Sequence, residues 1–289
     1  MTRYPISIAR GQKAVLATMH GKERVITPII NSCLHLHVET CVGLDTDKFG
    51  TFSRDIQRVG TSLEAARKKA KTAAELSPMA RVAIASEGSF GPSPYLPFVP
   101  IGREIVLLLD IETGFEIVGT DASLECNFSH ITTTKIEDVI RFATAQLFPT
   151  HGLIVSGYQD NLPAPSLWLD KQIETMAELV SSFNQAINLS GMALIETDMR
   201  AHRNPTRMAA IGRATQDLVR RYYSLCPKCQ HRGFDVVERI PGLPCEWCGL
   251  PTQVIMAEAL VCQSCGYRHD RSVGTASTAD PGRCQACNP

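Results

Sequence analysis

Eight of the eleven cysteines fall in the last 64 residues, as four CxxC pairs: Cys226/Cys229, Cys245/Cys248, Cys262/Cys265 and Cys284/Cys287. The segment has few bulky apolar residues and cannot build much of a core unaided. Its pairs are 15, 13 and 18 residues apart, which suits two tetrahedral zinc sites of four cysteines each. Structural zinc contributes roughly 10–16 kcal/mol of apparent binding energy near neutral pH, and in so small a segment that becomes folding energy. Consecutive pairs would make two stacked zinc ribbons, alternate pairs one cross-braced module; the shorter loops favour the consecutive arrangement. Four thiolates leave no position for a catalytic water, so the simplest role is a staple. Redox-active thiols are the other reading, and the even repetition of the pairs makes metal the more economical one. FDVVERI and TQVIMAEALV, between the pairs, read as strands. Six basic and six acidic residues balance here, so the segment lacks a strong nucleic-acid footprint, although contact with nucleic acid or protein through it stays open.

The preceding residues have a different character. Over the whole 289-residue chain, Lys+Arg and Asp+Glu are 29 each, which argues against a whole-chain role on nucleic acid or an anionic membrane. No apolar run is long enough to cross a membrane, and MTRYPISIARGQ lacks the apolar core of a signal peptide, so a cytoplasmic location is expected. KAVLAT reads as a buried strand, and a helix with Pro28 inside it follows in GKERVITPIINSCL. HVETCVGLD alternates like a strand. TSLEAARKKAKTAAEL is Ala-rich and opens on a Thr61-x-x-Glu64 capping box. ARVAIAS reads as a strand that runs out into the small-residue stretch EGSFGPSP. REIVLLLDIETGFEIVGTDASLE reads as a hairpin turning at Glu112-Thr113-Gly114. Thr134-x-x-Glu137 predicts a capped helix ending near Phe148, GLIVSG a strand and YQDNLPAPS a loop. A helix is expected in WLDKQIETMAELVSSFNQAI with Leu169, Ile173, Met176, Val180, Phe183 and Ile187 on one face. MALIETD is a strand, and the last helix starts at Asn204-Pro205, with Met208, Ile211, Thr215, Leu218, Tyr222 and Leu225 inward. Strands alternating with helices predict an α/β core over residues 1–225, a mixed sheet flanked by helices, followed by a small β zinc-ribbon module over 226–289.

Four places in the core could carry chemistry: Lys22, Glu64, Glu87 and the stretch ETDMRAHRNPTR; for Glu64 the plain alternative is that it only completes the capping box. Lys22 stands at a strand-to-helix turn, where backbone N–H groups and the helix dipole favour an anion; the plain alternative is a solvated surface lysine. Glu87 follows a strand, where α/β folds bind ligands, and small neighbours would let a ligand and a hard cation such as Mg2+ approach. Glu196 and Asp198 are two apart at a strand's end and face the same way. His202, Arg203 and Arg207 flank a helix N-terminus and could cradle an oxyanion.

The pieces ATMHGK, TSLEAARKKA, ASEGSFG and AHRNPTRMAAI follow an order that resembles the inosine triphosphate pyrophosphatase superfamily, with its Maf-like relatives. The resemblance implies that Lys22 meets phosphate, that Glu64 and Glu87 hold Mg2+, and that His202 with Arg203 contacts a nucleotide. His20 stands where that superfamily has Asn, the turn to Lys22 is one residue shorter, and Ser86-Glu87 replaces a pair of aspartates. The whole chain also resembles an uncharacterised bacterial family with the same core-plus-CxxC layout.

Two functions follow as expectations. The first is a Mg2+-dependent hydrolase of nucleoside triphosphates or related phosphoanhydrides, with Glu64, Glu87 and Asp198 as catalytic acids and Lys22, His202, Arg203 and Arg207 on phosphate. The second is a non-catalytic module that binds a nucleotide-like phosphorylated molecule, with zinc ribbons available for protein or nucleic acid.

Overall fold

The computed structural model describes residue 8 and residues 10–46, 60–93 and 98–289. Two compact units divide the chain, one spanning Ala9–Val219, the other containing Arg220–Pro289.

The first unit holds two sheets. Strand β1 (Lys13–Ala17) leads through helix α1 (Glu23–Leu34) to β2 (His37–Thr40), and helix α2 (Ser62–Leu76) leads to β3 (Val82–Pro92), β4 (Pro100–Asp110) and β5 (Glu116–Ser123). The order β2-β1-β3-β4-β5 is mixed: β1 runs parallel to both β2 and β3, and β4 and β5 add antiparallel strands. The chain leaves β1 to one side for β2 and returns to its other side for β3, so the carboxyl ends of β1 and β3 form a topological switch point. Ala66, Ala70 and Ala73 of α2 pack on Val15, Ala17, Ala83, Ala85 and Leu107, where small side chains let helix and sheet approach closely.

The second sheet is antiparallel, in the order β6-β9-β7-β8, built from β6 (His130–Thr133), β7 (Leu153–Gln159), β8 (Leu162–Asp170) and β9 (Met192–Thr197). Helices α3 (Ile136–Ala145) and α4 (Met176–Ser190) cover it through Val139, Phe142, Leu179, Phe183 and Ala186. Helix α5 (Pro205–Tyr223) begins at Asn204, whose side-chain oxygen accepts from the Arg207 N–H at 3.0 Å. It lies against β5 so closely that a Cβ at Gly119 would collide with the Ala214 carbonyl and the Leu218 nitrogen.

The expected mixed α/β architecture with a small cysteine-rich β module is therefore present. Several local expectations change. The small-residue stretch after Ala85 continues β3 to Pro92, because β4 supplies an antiparallel partner for every residue of it. YQDNLPAPS is a hairpin, with Asp160 and Asn161 both at positive φ, the two-residue turn whose twist matches paired strands. Residues 168–170 belong to β8, so α4 starts at Met176 behind a Thr175/Glu178 capping box, and Met176 is exposed. No capping box forms at Thr134 and Glu137: Thr133 takes that place, bonding Asp138 at 2.9 Å and the Lys135 N–H at 3.0 Å, and α3 ends at Ala145. The strand expected over HVETCVGLD stops at Thr40.

The second unit contains the antiparallel sheet β10-β11-β12: β10 (Asp235–Pro241), β11 (Ile255–Val261) and β12 (Arg268–Ser272). The runs expected as strands form β10 and β11. The third strand, RHDRS, has no apolar alternation; it pairs with β11 along its length, and ion pairs run from Arg268 to Glu238 at 3.2 Å and from Arg271 to Glu258 at 2.7 Å.

Candidate functional sites

At the switch point, β1 pairs with β3 only as far as Ala17 opposite Ala85. Beyond it β3 runs on with one edge open, and Lys22 closes that edge: its Nζ donates to the Ser86 carbonyl at 3.2 Å and to Ser86 Oγ at 3.0 Å. Gly21, at φ +71°, turns the chain to bring Lys22 there. Lys22 is the first residue before α1 and has no capping hydrogen bond; the helical ladder begins with Arg24 N–H on Gly21 and Val25 N–H on Lys22. The amides ahead of it have no intrahelical partner. Thr18, also in this turn, is buried, and its hydroxyl has no partner among the described residues.

Around Lys22 lies a buried ionic cluster. Glu87 pairs with Lys69 of α2, and Glu104 of β4 pairs with Arg207 of α5 at 2.7 Å. Arg207 also donates to the Met199 carbonyl, and Gly88 is bare because a Cβ there would strike Glu104 and Arg207. Burial, then the nearby charge of Arg207, pushes the Lys22 ammonium down to about 7; Glu87 and Glu104 pull the other way and do not compensate. The cluster thus brings Lys22, Lys69 and Arg207 together with Glu87 and Glu104.

Of the expected site residues, the structure gathers Lys22, Glu87 and Arg207 into this cluster. His202 lies close by on another element, stacked on His20 with ring centroids 5.2 Å apart, and its Cβ lies 3.5 Å from where a Gly21 Cβ would stand. Burial, then Arg200 and His20, lower its pKa. Arg203 donates to the Ile173 carbonyl and reaches Glu174 at 3.6 Å, while its Nε is buried without a partner among the described residues. Asp198, fully buried, is held by Arg200 at 2.7 Å. Glu64 does what its capping box implies: its carboxylate accepts from the Thr61 N–H at 2.7 Å, which lowers its pKa. Among the described residues no group of three acids, imidazoles or thiols converges in this unit, so Glu64, Glu87 and Asp198 do not share one centre. Ser86, Thr18, Lys69 and Glu104 were not singled out by the sequence. Lys69 had a visible signal, since it shares the stripe Ala65, Ala66, Ala70, Ala73 at helical spacing.

In the second unit the eight cysteines form two tetrads, Cys226/Cys229/Cys262/Cys265 and Cys245/Cys248/Cys284/Cys287, with ligand atoms of each within 4.8 Å of one another. The pairing is thus alternate, and the consecutive arrangement favoured by loop length is corrected: β10 and β11 pair antiparallel from Asp235 opposite Val261, bringing the first knuckle to the third. Sulfur separations of 3.6 and 3.8 Å in the first tetrad and 3.6 and 3.9 Å in the second fit a metal. A regular tetrahedron of zinc–sulfur bonds near 2.3 Å has edges of about 3.8 Å. The knuckles aim backbone N–H groups at sulfur: the Tyr267 amide lowers the pKa of the Cys265 thiol and the Cys287 amide lowers that of Cys284, while burial raises those of Cys229 and Cys262. Gln230, Gly249 and Gly266 sit at positive φ just after the second cysteine of their knuckles, closing each turn with an N–H to the first cysteine's carbonyl.

The fold and sites define an α/β protein carrying a C-terminal, cross-braced module with two tetrathiolate metal positions. The chain belongs to the family described as a domain of unknown function, DUF6671, which matches residues 69–289. A comparison with curated proteins gives no match. No helix among the described residues is long and apolar enough to cross a membrane.

Proposed function

We propose that the α/β unit binds a phosphorylated, nucleotide-like small molecule at the β1–β3 switch point, and that two zinc ions hold the cysteine module in shape. The observation that carries this reading is Lys22, a buried amine at the mouth of a helix N-terminus, close in sequence to the buried Thr18 hydroxyl that has no partner among the described residues. A phosphate seated on the α1 amides would meet the helix dipole, the unpartnered Thr18 hydroxyl and the Lys22 charge together. His20 and His202 would supply donors at the rim once protonated.

Binding and proton uptake are then linked. Free Lys22 titrates at about 7, so at pH 8 it is mostly neutral, and a bound anion protonates it. Calorimetry with orthophosphate, pyrophosphate and ATP at pH 8, in buffers of different ionisation enthalpy, tests this. The expected result is binding whose measured heat depends on the buffer, lost in Lys22→Met. Binding that is independent of buffer and unaffected by Lys22→Met would refute the assignment. A Mg2+-dependent hydrolase is the catalytic form of the same reading. It asks Glu87 or Asp198 to exchange its present cation for the metal, and phosphate release from ATP with Mg2+ distinguishes it from binding alone.

A further inference from the structure

We propose that the two cysteine tetrads are inequivalent: the first is a locked metal site, and the second is an exchangeable one whose ion leaves and returns while the sheet stays folded. The ligands themselves do not differ, since each tetrad has two buried cysteines, one half-buried and one exposed. Their frames do. Cys226 and Cys262 of the first tetrad belong to an apolar cluster with Phe234 and Leu260, against which Val236 and Tyr267 pack. Its knuckles also abut the ladder, because Asp235 pairs with Val261 and Val261 with Arg268. Opening this site would unpair the strand ends and expose the cluster.

The second tetrad hangs on the loop between β10 and β11 and on the chain after β12. Residues 246–251 and 271–278 beside it are exposed, and Leu243 and Ala279 are the buried apolar side chains nearest in sequence. A bridge between Cys245 and Ala279 ties its two knuckles, with Ala279 N–H on Pro244 at 2.8 Å and Glu246 N–H on Ala279 at 3.0 Å; a second bridge, Pro244 to Pro251, and the Thr252 N–H on Leu243 at 3.2 Å brace the β10–β11 loop within itself. Apolar packing between the two knuckles is sparse and the loop's other braces are internal to it, so the metal supplies most of the order that joins them, and losing it costs the strand ladder little.

Trp247 sits inside the second tetrad's knuckle and is exposed, which makes it a reporter of that site. Full-length protein carrying two zinc equivalents is mixed with excess EDTA. Released zinc is followed with a chromogenic chelator, Trp247 emission by comparison with Trp247→Phe, and the sheet by circular dichroism. One equivalent is expected to leave at least about tenfold faster than the other, with the Trp247 change in the fast phase and sheet loss only in the slow one. Cys248→Ser should abolish the fast phase and keep the slow equivalent. Release of both ions in one phase, a Trp247 change confined to the slow phase, or loss of both ions in Cys248→Ser would overturn the proposal. The wild-type traces alone decide it should that variant fail to fold.

Discussion

Replacing Lys22 by methionine is expected to make the protein more stable while abolishing the proposed phosphate binding. The unfolded chain holds this lysine near its ordinary 10.5, whereas the folded state depresses it to about 7. Between those values the unfolded chain binds the extra proton, so the lysine costs stability, and the cost shrinks as pH rises from 7 toward 10.5. At pH 7.5 the shift amounts to about 4 kcal/mol against folding. Methionine keeps the aliphatic volume and forfeits the two hydrogen bonds to Ser86, worth about 1 kcal/mol each. The net expectation is a gain of about 2 kcal/mol at pH 7.5. Wild type should gain stability from pH 7 to pH 9, and Lys22→Met should lack that slope. Urea unfolding followed by Trp168, whose Nε1 donates to Ser182 Oγ at 3.0 Å inside the α/β unit, reads both quantities in a Trp247→Phe background at constant zinc. A Lys22→Met protein less stable than wild type, with the same pH slope, would refute the account of the buried ammonium.

Gly119→Ala should cost about 3 kcal/mol or prevent folding, because the atoms its Cβ meets are backbone of α5 and cannot swing aside; thermal melting measures it. Glu64→Ala should lower the melting temperature through the lost capping box and leave pyrophosphate affinity unchanged with or without Mg2+, whereas a Mg2+-holding role would show as weaker binding only when the metal is present.

Much of the architecture was legible where local chemistry and tertiary structure agree. The Thr61/Glu64 box, the turn after Asp110 and the Asn204-Pro205 start each specify their conformation from within a few residues. What escaped was set by distant partners. The stretch after Ala85 looks like a loop because its small residues and Pro92 say nothing of β4, seven residues of which, Pro100 to Val106, align beside it. β12 has a sequence that reads as solvated, and it becomes a strand because β11 offers it an antiparallel backbone ladder, with Glu238 and Glu258 adding ion pairs. Glu87 was noticed for a bare setting, yet that setting is a buried strand facing Lys69, a partner on a helix whose charge count alone suggests an outer face. Glu104, inside an apolar strand, becomes meaningful only once Arg207 is brought to it by a chain reversal far along the sequence. The cysteines were visible individually, and their partnership was not, since it follows from the β10–β11 register.

That partnership sets a problem for a nascent chain. Cys245 and Cys248 are made before Cys262 and Cys265, so the earliest four thiols of the module are ones that do not belong together. The shorter loop also closes at lower entropic cost. A chain that captures metal during synthesis would therefore begin in the wrong grip, and folding would proceed by handing the ion on once β11 arrives to re-sort the knuckles.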